Sequence, residues 1–296
     1  MAVFSSVAAI TTSFWFTLKQ TFWAWNGHEA PRLGAALSFY TMLSLAPLLI
    51  LVVAIASVLF GHSAAQSEII GQVQGFMGAE GAKAVASVIE RGQRPTGVFA
   101  SVIGVATLLV GASGAFSELQ SALNKIWDVQ PKKGSGVASL IKSRLFSFGM
   151  VLAVGFLLLV SLVITAALAV VGRFFGEILP MPEPLMQTIN FAVSFAGISA
   201  LFALIFKYVP DARIKWRDVW EGAIATALLF TIGKSLIGLY LGKAAVGSAY
   251  GAAGSLIVVI VWVYYSAMIF FFGAEFAHVR ATDRKNAHAR KASCVH

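Results

Sequence analysis

Charge is scarce in this chain. Asp, Glu, Lys and Arg together make up 12% of its 296 residues, where an ordinary soluble domain carries about a quarter. With 58% of the residues hydrophobic, a water-soluble fold of this length could not hide its apolar surface, so the surrounding medium must be lipid. Cysteine is nearly absent too. The single Cys294, in the polar tail, excludes an internal disulfide and leaves the compartment unmarked. The five histidines (His28, His62, His278, His288 and His296) show no HxxxH or HxH spacing, which argues against a metal site. There is no G-x-x-x-x-G-K-[ST] phosphate loop and no G-x-S-x-G elbow, so no cofactor and no nucleotide hydrolysis are expected. The first twenty residues lack both a basic start and a clean apolar core, so a cleaved signal peptide is not expected.

What is present is a series of long apolar runs. A spanning helix needs about 20 mostly apolar residues, and six stretches qualify: 34–60, 97–116, 145–171, 189–208, 219–241 and 255–277. The expected fold is therefore an all-α, polytopic membrane bundle of about six transmembrane helices. Lys and Arg divide unevenly between the connections. Sixteen lie before the first span, between the second and third, between the fourth and fifth, and after the sixth. The alternate connections hold only five: Lys83, Arg91, Arg94, Arg173 and Lys243. Basic residues stay cytoplasmic during insertion, so both termini are expected on the cytoplasmic side. The formal net charge of +9 is then a topology signal first. Contact with anionic lipid headgroups comes second. Nucleic acid is not an expected partner, because no aromatic–basic interleaving accompanies the charge.

This pattern suggests an N-terminal cytoplasmic or interfacial segment (1–33), a transmembrane domain (34–279) and a basic cytoplasmic tail (280–296). Six aromatics around Lys19 in 14–25 suit either an interfacial helix or the anchor of the first span. The connection 62–95 has apolar residues at helical spacing in two groups with Gly75, Gly78 and Gly81 between them, so a small extracytoplasmic helical cap is expected there. The PMPEP run at 180–184 predicts a stiff turn.

Candidate functional residues are the polar groups inside the apolar runs. Lys234 lies 13 residues after Glu221, about 20 Å along a helix. An ionisable group at such depth costs several kcal/mol and asks for a reason. It would meet either an anionic substrate group or a carboxylate, or else reach toward the outer headgroups. Glu118, Glu221 and Glu275 fall near the inner ends of their helices. They would form an acidic ring of proton-carrying character or be paired locally, Arg217 with Glu221 at i,i+4 and Arg32 or Lys125 with the others. Ser38, Tyr40 and Ser44, beside a Pro47 expected to kink the first span, and Tyr264 in the last, are candidates for a pathway lining or for helix–helix glue. Gly238, Gly242, Gly247, Gly251 and Gly254 suit close packing or a mobile connection between the last two spans.

Four stretches carry a resemblance: RLGAALSFYTMLSLAPLLIL (32–51), SGAFSELQSALNKIWDV (113–129), VPDARIKWRDVWEGA (209–223) and SAYGAAGSLIVVIVWVYYSAMIFFFGAEFAHV (248–279). Together they resemble the YihY/BrkB family of bacterial inner-membrane proteins, over about residues 15–280. The resemblance implies six spans and a transporter or a handler of lipid-related or other envelope molecules, with no established catalytic residue. The family has also carried a ribonuclease label, for which the residues offer neither metal ligands nor an acid/base pair. The expectation is a transporter or lipid-handling protein with membrane lipids and an unknown small molecule or lipid as partners. The alternatives are a membrane scaffold and, third, a tRNA-processing ribonuclease. Self-association is left open.

Overall fold

The computed structural model describes residues 2–92, 98–129, 183–243 and 253–293. Most of those residues are helical and form α1 (Ala2–Gly27), α2 (Ala30–Phe60), α3 (His62–Gly92), α4 (Val98–Ile126), α5 (Glu183–Tyr208), α6 (Trp216–Lys243) and α7 (Gly254–Ser293). Five of them contain stretches long and apolar enough to cross a membrane: Ala30–Val58, Val102–Ile126, Phe191–Tyr208, Trp216–Leu241 and Gly254–Asn286. These match the expected first, second, fourth, fifth and sixth spans. The expected third span at 145–171 and most of the proline turn at 180–184 lie outside the described residues.

Large apolar side chains cover the outside of the bundle, including Val102, Ile103 and Val110 of α4, Phe191 of α5, and Leu228, Ile232 and Leu236 of α6. Apolar surface on this scale is untenable in water and natural in lipid. The interior has two apolar clusters. The first joins Phe116, Leu123 and Ile126 of α4, Phe206 of α5, Val219 of α6 and Phe270, Phe271 and Ala274 of α7. The second joins Leu49 and Val53 of α2, Met77, Val85 and Ile89 of α3, Ile237 and Leu241 of α6, and Val258 and Val259 of α7.

Small residues let the helices approach closely, as lipid-embedded packing requires. On α4, a Cβ at Gly111 would lie 2.8 Å from the backbone nitrogen of Ser44. Gly114 meets the ring of Tyr40 one turn further on. Helix α2 runs through Pro47 as one continuous helix. Helix α3, the element expected as a cap, is broken at Gly78, whose φ of 75° and ψ of −179° leave the helical region. Only glycine adopts that backbone cheaply. Both sides of the break pack on the bundle, α3 lying against α2, α6 and α7.

Candidate functional site

One end of the bundle gathers the ends of α1, α4, α5 and α7 and the starts of α2 and α6, and its polar groups interlock. The joint between α1 and α2 turns at Glu29, in the left-handed conformation (φ 58°, ψ 39°), with Pro31 in the first turn of α2. Glu29 accepts bonds from Arg32 at 3.0 Å and Lys125 at 3.1 Å. Lys125 foremost, then Arg32, holds the exposed Glu29 carboxyl below the usual carboxylate range. Helix α4 ends with Asp128 at φ 51° and a Val129 N–H bond to the Asn124 carbonyl. This is the left-handed closure that satisfies a helix C-terminus. It sets Trp127 against His278 of α7, ring centroids 5.2 Å apart and edge-on, and Asp128 Oδ2 3.5 Å from His278 Nε2. Asn124 also clamps the α5–α6 loop: its Nδ2 donates to Asp211 at 3.0 Å and its Oδ1 accepts the Asp211 N–H at 2.8 Å.

Glu221 is the hub between α6 and α7. Arg284 reaches it at 2.6 Å and Arg280 at 3.2 Å, while Arg217 lies 3.7 Å away on its own helix. Arg284 also pairs with Asp218. Glu275 is fully buried, and its Oε1 lies 2.5 Å from His28 Nδ1. Glu118 is half-buried on α4 and makes no ion pair among the described residues. Pairing is thus seen for Glu221 with Arg217. The partners suggested for the other two carboxylates are engaged elsewhere, because Arg32 and Lys125 both serve Glu29.

Lys234 stands apart from this network. It lies on the side of α6 that carries buried Ala227, Ile237 and Leu241, away from exposed Leu228, Ile232 and Leu236. The helical period of 3.6 residues fixes that placement. Its side chain is half-buried and, among the described residues, makes no ion pair. Two hydrogen-bond donors of α7 lie against its neighbours on α6. The Tyr265 hydroxyl lies beside neighbouring Gly233, 3.1 Å from where a Cβ would stand. One turn from Lys234, Phe230 meets Trp262 edge-on at 6.2 Å, and the buried Trp262 indole N–H has no partner. One turn the other way, Gly238 touches the break in α3, a Cβ on Gly78 lying 3.7 Å from its Cα.

The remaining sequence candidates fall into packing positions. Ser38 donates to the Gly34 carbonyl at 2.7 Å and Ser44 to the Thr41 carbonyl at 3.0 Å. Tyr40 and Ser44 face the glycines of α4, and Tyr264 lies against Gly34 of α2. Gly254 is buried at the start of α7, and Gly242 is in the last turn of α6. Gly247 and Gly251 lie outside the described residues. His28, Asp128, Trp127, His278 and Trp262 were not singled out from sequence as site residues, whereas Tyr265 stands beside Tyr264 among the polar groups of the last span. The i,i+3 spacing of Glu275 and His278 is a signal that could have found His278. Among the described residues, no three His, Cys, Asp or Glu side chains come together as a metal site.

A family model described as virulence factor BrkB matches residues 21–293. The chain belongs to the BrkB family. Family relatives include a UPF0761 membrane protein of Verminephrobacter eiseniae, 32% identical over 175 residues, covering 58% of this chain and 39% of the relative. A UPF0761 membrane protein of Pseudomonas aeruginosa is 32% identical over 176 residues, covering 58% of this chain and 40% of the relative. The chain thus spans about two fifths of the length of those BrkB-family relatives. The ribonuclease-like protein YfkH of Bacillus subtilis is 25% identical over 264 residues, covering 87% of this chain and 92% of the relative. No solved structure matches.

Proposed function

We propose that the protein moves or handles an anionic, lipid-related or other envelope molecule in the bacterial inner membrane, without an ATPase of its own. In this reading Lys234 meets the anionic group. The observation that carries it is the placement of Lys234 inside a span, on the protein-facing side, with no carboxylate partner among the described residues. A lysine held there without an anion is costly, and a site rich in donors favours an anionic guest. Trp262 and Tyr265, against Phe230 and Gly233 of α6, would supply two such donors. Among the described residues, the polar end holds Arg32, Lys125, Arg217, Arg280 and Arg284, at least one from each of the four basic regions named in the sequence. In this reading positive-inside insertion faces that end, and both chain termini, to the cytoplasm. Basic residues there would also contact anionic headgroups.

The test is native mass spectrometry of protein released from nanodiscs containing phosphatidylglycerol and cardiolipin, comparing wild type with Lys234→Met. Wild type is expected to retain an anionic lipid in fixed stoichiometry and the variant to lose it. The same lipid complement on both proteins would remove Lys234 from the function and favour a scaffold. Hydrolysis is left out of this reading. Metal-dependent RNA cleavage by the purified protein, abolished by Glu221→Gln or Glu275→Gln, would overturn that part.

A further inference from the structure

The buried polar layer at the α1–α2 joint does more than close the bundle. Glu275 has no exposed side-chain surface, and its second oxygen, Oε2, has no hydrogen-bond partner. Two further buried polar atoms lie in the same layer without partners: His278 Nδ1, one turn along α7, and Trp127 Nε1, whose ring packs on His278. An unpaired buried polar atom costs about 1–3 kcal/mol, and three in one layer ask for a common explanation. Metal chemistry does not supply it, because an indole N–H repels a cation. A proton, carried with bridging water, does. Water needs two to four polar partners, and Glu275 Oε2, His278 Nδ1 and Trp127 Nε1 are of the right kind.

The pair itself holds a proton. A carboxylate oxygen 2.5 Å from an imidazole nitrogen requires one proton between them, whichever atom carries it. His28 retains 24% exposure and His278 20%, and Asp128 at 73% stands in solvent. His28 thus joins the buried carboxyl to solvent directly, and the i,i+3 spacing puts His278, paired with exposed Asp128, on the same face of α7 as Glu275. The charged and titratable groups facing this layer are His28 from the α1–α2 joint, Asp128 from the end of α4, and His278 and Lys285 from α7. From α6, Glu221 and Asp218 are held by Arg280 and Arg284.

We propose that Asp128, His278, Glu275 and His28 form a proton-binding chain. One proton enters from the solvent side, passes through Asp128 and His278, resides on the Glu275–His28 pair, and leaves by His28. No other bond changes. The chain stands independently of the function proposed above.

The test is infrared difference spectroscopy on a pH step, using the purified full-length protein without added ligand. A carboxyl band should appear in wild type, vanish in Glu275→Gln, and have its midpoint displaced in Asp128→Asn. Asp128 is exposed, so that variant should fold even if Glu275→Gln does not. No carboxyl band in wild type, or a band unmoved by Asp128→Asn, overturns the chain.

Discussion

At the polar end of the bundle, Glu221 on α6 meets Arg280 and Arg284 of α7, and Lys125 of α4 reaches back to Glu29 at the α1–α2 joint. At the opposite end α3 contributes Met77, Val85 and Ile89 to an apolar cluster with α2, α6 and α7. No ion pair there joins two helices among the described residues. In water the second arrangement would be firmly held by the hydrophobic effect. In lipid, apolar side chains gain little by leaving hydrocarbon, and association relies on shape and on polar contacts. The polar end is therefore fixed by directional bonds. The α3 end is held chiefly by apolar fit, with the Ser57 hydroxyl 3.1 Å from His62 Nδ1 where α2 meets α3, and can rearrange at lower cost. Lys234 lies between the two, one turn from the Gly238 that touches the break in α3. A guest site placed there has a rigid floor and an adaptable roof.

This contrast can be broken at either end. The largest effect is expected for Arg284→Met, which strands Asp218 and part of Glu221. Stability should fall by about 2 kcal/mol, less than the roughly 3–5 kcal/mol for a fully buried pair because both carboxylates keep some water. Steric-trapping measurements in bicelles would check it, and an unchanged value would show the ion-pair hub to be ornamental. Ile89→Ala should cost about 1–2 kcal/mol, below the usual 2–5 for a core isoleucine because lipid replaces water as the reference. A full water-like loss would put α3 outside the lipid. Gly78→Ala should cost about 1 kcal/mol through its positive φ, and should show as increased protease cleavage within α3 rather than loss of the bundle. Smallest is Glu29→Gln. The folded-state carboxyl sits below its ordinary range, so its stabilisation is present at neutral pH and lost as pH falls through that depressed value. The gap in thermal stability between wild type and variant should close on acidification, and a gap that widened would reverse the assigned sign.

Much of the fold was legible because lipid imposes a simple demand, about 20 apolar residues per crossing. The runs at 34–60, 97–116, 189–208, 219–241 and 255–277 met it without help from any long-range contact. Glu221 with Arg217 was legible because four residues make one helical turn. Its stronger partners, Arg280 and Arg284, were not, since nothing local announces how α6 and α7 are aligned. His28 shows the limit most clearly. With no metal-like spacing it looked isolated, yet the turn at Glu29 brings it to Glu275, 247 residues away. Ser38, Tyr40 and Ser44 illustrate the converse. They were open to a pathway lining or to helix–helix glue, and the hydroxyls of Ser38 and Ser44 bond within α2 while Tyr40 and Ser44 face the α4 glycines. Lys234 could be placed on its face from helical period alone, and what surrounds it could not.

The most direct measurement uses the scarcity of cysteine. In a Cys294→Ser background, Lys234→Cys and Leu236→Cys place single thiols two residues apart on α6, one on the protein-facing side and one facing lipid. Thiolates form only where water reaches, so a membrane-impermeant charged maleimide separates a hydrated site from hydrocarbon. The account predicts that Cys at 234 is labelled and that Cys at 236 stays unreactive. Labelling at 236 with none at 234 would contradict it, and would leave Lys234 a lysine without a site.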